Sequence, residues 1–147
     1  VNCYGEMFSY SGLTTPPSLP ATTLAVSCYA NMFEGCSITT APSLPATDLT
    51  DCYYCYNYMF AGCTSLTTAP ELYPQTLVDG CYGGMFANCE NLNEVTCYAT
   101  DITATDCLTD WLSNVAASGT LYTPDDTIYT TDDPSGIPTG WTASIIQ

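Results

Sequence analysis

The chain is 147 residues long, 46% hydrophobic and only 10% charged, and all 15 of its charges are acidic, giving a formal net charge of -15. With no Lys, Arg or His to neutralise a phosphate, the composition argues against nucleic-acid binding and against anionic membrane surfaces. No stretch is long or apolar enough to span a bilayer and no secretory leader opens the sequence, which reads as one domain, a mature or excised piece of something longer.

The first unit sets the pattern for the rest. Cys3 is followed four residues on by Met7-Phe8, and the spacing returns as Cys28 with Met32-Phe33, Cys55 with Met59-Phe60 and Cys81 with Met85-Phe86. Cys107 with Trp111-Leu112 is a degenerate fifth copy, and the five cysteines stand 25, 27, 26 and 26 residues apart. After the Met-Phe pairs come Leu13-Thr14-Thr15, Ile38-Thr39-Thr40 and Leu66-Thr67-Thr68, stretches that favour short strands ended by the next Pro. Leu24, Cys28 and Met32 lie at i, i+4 and i+8, as do Leu77, Cys81 and Met85, which predicts one face of a short helix. Thr22 or Thr23, Thr47 and Thr76 stand where its N-cap belongs, and Gly35 and Gly62 where a left-handed C-cap belongs. Residues 105–117 read as a longer amphipathic helix with Leu108, Leu112 and Val115 on one face, and residues 120–123 and 141–146 as two short closing strands.

These elements predict an α/β fold: a right-handed solenoid of the leucine-rich-repeat type, with short parallel strands on one side, short helices on the other, and a C-terminal cap. Residues 1–106 supply about four repeats of 25–27 residues, and residues 107–147 a degenerate repeat and cap within the same domain. The repeat core falls to Cys28, Met32, Phe33, Cys55, Met59, Phe60, Cys81, Met85 and Phe86. The first repeat should show an open apolar N-terminal edge, covered by preceding repeats or by another subunit.

The chemistry-bearing residues are few. Paired cysteines such as Cys28 and Cys36, or Cys55 and Cys63, are eight residues apart, roughly 12 Å along a helix and beyond the about 7 Å limit for a bridge. Buried free thiols are therefore expected, with Cys52 and Cys97 the best candidates for an exception. Cys52-x-x-Cys55 has neither a second such pair nor a His to complete a zinc site, and no metal or cofactor is expected. Asp125-Asp126 and Asp132-Asp133 carry the oxygen chemistry of Ca²⁺ ligands, but without EF-hand spacing they read as solvated turns. Without His or Lys a Ser or Cys nucleophile lacks its ordinary base, so no catalytic residue is assigned. Tyrosine is a rigid amphipathic contact residue, and Tyr29, Tyr53, Tyr54, Tyr56, Tyr58 and Tyr82 cluster beside the Cys columns as a candidate binding surface, densest at residues 53–58.

The motif Cys-Tyr-x-x-Met-Phe-x-Gly-Cys-x-Ser-Leu-Thr-Thr-Ala-Pro-x-Leu, closest over residues 55–72, resembles the BspA-like leucine-rich-repeat proteins of Bacteroides-type gut bacteria and their phages. Asn91-Leu92-Asn93-Glu94-Val95-Thr96-Cys97 and Gly136-Ile137-Pro138-Thr139-Gly140-Trp141 resemble the usual C-terminal end of such arrays. The resemblance implies an extracellular or cell-surface acidic protein that binds or adheres to a host or matrix protein or a glycan. The alternative is a filament subunit that stacks on itself through the open N-terminal edge. Asp126-Thr127-Ile128 is similar to the O-glycan acceptor of such bacteria and marks Thr127.

Overall fold

The computed structural model describes residues 3–147. Its regular structure is sparse: β1 (Glu94–Thr96), β2 (Gly119–Thr123), β3 (Trp141–Ile145) and one 3₁₀ turn at Asp126–Ile128. The strands form a parallel sheet in the order β1-β2-β3, with Val95 opposite Leu121 and Leu121 opposite Ala143. Strands β2 and β3 coincide with the two stretches read as strands near the C-terminus. The Leu-Thr-Thr stretches form no strands and contribute only the isolated bridge from Thr68 to Glu94.

The α/β leucine-rich-repeat solenoid is overturned: there is no α-helix among the described residues, and most of the chain is turn and coil. The reason lies in the backbone of the Met-Phe segments. Every fourth residue adopts the left-handed conformation, as at Ser27, Asn31 and Gly35, at Tyr54, Tyr58 and Gly62, and at Gly80, Gly84 and Asn88. Between these points alternate N–H groups have two fates. Asn57 N donates to Tyr54 O at 3.3 Å and Met59 N to Tyr56 O at 3.1 Å, closing tight turns. Tyr56, Tyr58 and Phe60 donate instead to Cys81, Gly83 and Met85 of the following copy, at 3.1, 2.9 and 2.9 Å. A helix commits its interior N–H groups to carbonyls four residues back and leaves none for lateral bonds. A ribbon of turns with a period of four still keeps Leu24, Cys28 and Met32 on one side, so the spacing that pointed to a helix is satisfied without one. Residues 105–117 follow the same rule, with left-handed Asp106, Asp110 and Asn114 in place of the expected amphipathic helix. Thr22, Thr23, Thr47 and Thr76 accordingly have no helix to cap.

Neighbouring copies lie side by side, and their side chains form columns. Phe8, Phe33, Phe60 and Phe86 stack at 5.7–5.8 Å between ring centroids, and Tyr4, Tyr29, Tyr56 and Tyr82 at 5.9–6.0 Å. Each buried Phe contributes about 1.5–3 kcal/mol by removal from water, and offset stacking adds roughly 0.5–1.5 kcal/mol per pair. Cys28, Met32, Phe33, Cys55, Met59, Phe60, Cys81, Met85 and Phe86 are all buried in one continuous cluster. The last Met-Phe position is Trp111, whose ring stacks on Tyr129 and whose Nε1 donates to Gly136 O at 2.7 Å.

All ten cysteines are free, Cys52 and Cys97 among them, and only Cys3 is exposed. Cys36, Cys63 and Cys89 donate from Sγ to Phe8 O, Phe33 O and Phe60 O at 2.9, 3.1 and 3.0 Å, so each thiol ties its copy to the previous one. Desolvation pushes the Cys89 thiol up to about 12 and that of Cys107 to about 11.

Candidate functional site

The tyrosines fall into two sets. Tyr29, Tyr56 and Tyr82, each directly after a column cysteine, are buried in the inner stack. The hydroxyls of Tyr56 and Tyr82 have no hydrogen-bond partner, and burial pushes both phenols well above their ordinary range. Tyr53, Tyr54 and Tyr58 are 42, 45 and 41% exposed and form the accessible half of the surface assigned from sequence.

The exposed rings are held by the backbone beneath them. Tyr54 and Tyr58 sit at left-handed positions, φ 56° and 52°. Their rings cover Gly80 and Gly84 of the following copy so closely that neither glycine has room for a Cβ. Tyr10 covers Gly35 in the same way and donates from its hydroxyl to Glu34 Oε1 at 2.8 Å. Between Tyr54 and Tyr58, Asn57 Nδ2 donates to Gly83 O at 3.0 Å. These residues, with Asp106 and Thr109, border a shallow groove of about 320 Å³. Its only charged side chain is a carboxylate, so it can meet hydroxyl, amide or cationic groups and offers an anion no positive charge.

A second surface lies at the N-terminal edge. Met7 is 59% exposed, and Tyr4, Met7, Phe8, Leu19 and Met32 border a largely apolar groove of about 420 Å³. Across the ribbons, every lateral hydrogen bond runs from an N–H of one copy to a carbonyl of the following one. Among the described residues, no N–H reaches the carbonyls of Cys3, Gly5, Met7 and Ser9, which correspond to the acceptors Cys28, Ala30, Met32 and Glu34.

The remaining sequence candidates are separate from both surfaces. Thr127 is exposed in the 3₁₀ turn, its hydroxyl donating to Asp125 Oδ1 at 2.6 Å. Asp133 Oδ1 accepts from Ser135 N at 2.8 Å and Asp132 accepts from the Thr139 hydroxyl. No group of three or more His, Cys, Asp or Glu side chains suited to a metal comes together among the described residues. Sequence reasoning missed Tyr10, Tyr73 and Tyr98, which lie outside the Tyr-rich segments beside the Cys28, Cys55 and Cys81 positions.

No family model, curated protein or solved structure matches the chain. No helix among the described residues is long and apolar enough to cross a membrane.

Proposed function

We propose that the chain is a non-enzymatic, extracellular or cell-surface module of the BspA-like type, binding a host or matrix protein or a glycan through Tyr54, Tyr58 and their neighbours. The observation that carries this reading is the seating of exposed tyrosine rings on glycines that admit no Cβ. Rings fixed in this way lose little freedom when a partner covers them, which is how tyrosine contributes affinity at interfaces. The absence of His, Lys and Arg leaves acyl or phosphoryl transfer without its usual base and cation, which supports binding over catalysis.

The test is retention of the chain on coated matrix proteins and mucin glycans, comparing wild type with Tyr54→Asn/Tyr58→Asn. Asparagine tolerates the left-handed backbone, as Asn31 does, so the variant removes rings without removing the turn. A loss of about tenfold in affinity is expected; unchanged retention would overturn the assignment of this face.

A second reading, a filament subunit, is favoured by the open carbonyls of Cys3, Gly5, Met7 and Ser9. A partner on that edge must bring N–H groups. The edge of this chain that presents them, residues 106–114, is covered in part by the segment beyond: Asp110 N donates to Pro134 O at 2.8 Å. Light scattering of the isolated chain separates the readings, since filaments require that segment to move aside and the first reading gives discrete particles.

A further inference from the structure

The stretch between the Thr-rich segment and each ribbon carries its own short column. Tyr73 and Tyr98 stack at 5.6 Å with 19° between their planes, each following a residue of the bridged pair Leu72 and Cys97. In the preceding copies the residues after Leu19 and Leu44 are Pro20 and Pro45. The tyrosine column therefore stops at Tyr73, and a proline ring fills less of the next place than a phenol would. Beside the two rings runs an open groove of about 660 Å³, bordered by Thr47, Asp48, Thr50, Tyr73, Gln75 and Tyr98.

We propose that this groove is a binding site for a neutral sugar ring, which packs against the Tyr73 and Tyr98 side chains. The proposal rests on the reading of the chain as a binding module and names a ligand class for a second site on it. The polar groups match a polyol. Asp48 Oδ1 accepts from Thr50 N at 2.8 Å and from its Oγ1 at 2.7 Å, leaving Oδ2 to accept a sugar hydroxyl. The hydrogen bonds from Thr50 hold the Asp48 carboxyl below its ordinary range, so it remains an acceptor through mildly acidic conditions. Gln75 supplies a side-chain amide that donates and accepts, while its carbonyl is fixed by Thr100 N and Asp101 N at 2.9 and 3.1 Å. The aromatic face offers an apolar surface to the C–H groups of a pyranose. Sulfated, sialylated or uronic sugars have no cation to meet anywhere in the chain. The Asp48 carboxylate is the one charged side chain bordering the groove, so a basic peptide is the competing occupant that the titration must separate from a sugar.

The experiment is a titration of the whole chain with cellohexaose, xylohexaose and mannohexaose, and separately with hexalysine, following the ring resonances of Tyr73 and Tyr98. At least one neutral oligosaccharide should bind and shift both rings. Tyr73→Ala should weaken it about tenfold or more with the thermal midpoint largely kept. The site is overturned if none of the three sugars shifts these rings, if hexalysine binds there instead, or if affinity is indifferent to Tyr73→Ala. The groove shares no residue with the one between Tyr54 and Tyr58. Loss of this site with retention through Tyr54 and Tyr58 would thus leave the broader reading standing, and loss of both would remove it.

Discussion

The ribbons and the C-terminal sheet solve one problem in two ways. Both must join a chain segment to its neighbour about 26 residues on, as from Tyr56 to Cys81 in a ribbon and Val95 to Leu121 in the sheet. In the sheet region the bonds run in both directions: Leu72 N donates forward to Thr96 O at 3.0 Å, and Tyr98 N donates back to Leu72 O at 2.9 Å. In the ribbons they run one way only, because the left-handed residue at every fourth place turns successive lateral N–H groups to the same side. Extended backbone favours β-branched or aromatic residues; the left-handed points of the ribbon favour Gly, Asn or Asp, although Ser27, Tyr54 and Tyr58 also occupy them. The lesson is that one apolar period accommodates two backbones, and the small polar residues decide between them.

Four measurements press on that contrast. The largest effect should come from Phe60→Ala, which interrupts the phenylalanine column and should cost about 3–5 kcal/mol in chemical denaturation. Because ribbon and sheet share one core cluster, this variant and Leu121→Ala should each shift a single transition; two separate transitions would break the picture of a continuous core. Next is Gly84→Ala, where the left-handed backbone alone costs about 1–2 kcal/mol and the Tyr58 ring must also be displaced. Gly12→Ala, left-handed but with open space around it, should show the smaller penalty, and equal losses would refute the seating of Tyr58.

A shallower effect follows from the thiols. Burial raises the folded pKa of Cys89 and Cys107, so their contribution is complete below the unfolded value of 9.0 and is lost as pH rises toward about 12 at Cys89 and about 11 at Cys107. Denaturation midpoints should fall as pH climbs above 9.0, and alkylation by iodoacetamide of the native chain should stop at the exposed Cys3. The smallest effect is at the acid end. Asp48, Asp101 and Asp125 are each depressed by a Thr two residues on, so their contribution is present above the ordinary carboxylate value and disappears as pH drops through the folded ones. Replacing Thr50, Thr103 and Thr127 together with Val should flatten that acid limb; an unaltered limb would show that these exposed turns do not affect stability.

The sequence made the columns legible and the backbone illegible. Cys55, Met59 and Phe60 are assigned inward by their recurrence alone, which needs no knowledge of local conformation. The conformation was lost because i, i+4, i+8 over three residues does not separate a period of 3.6 from one of four. Asn31 with Gly35, Gly84 with Asn88, and Asp110 with Asn114 did carry the period of four in their residue types, but Tyr54 and Tyr58 hid it in the third copy. The candidate site was half legible for a related reason: Tyr54 and Tyr58 emerge at left-handed corners, while Tyr56 between them points inward.

One-way bonding across the ribbons also has an electrical consequence. Peptide dipoles that point alike from Tyr4 through Tyr82 add up across the molecule, much as they do along a helix axis. The oxygen-rich pole is the border at Cys3 to Ser9, and the opposite pole carries Asp106 and Asp110, whose carboxylates lie where partial positive charge gathers. The permanent moment therefore runs from copy to copy, across the ribbons and not along any one of them.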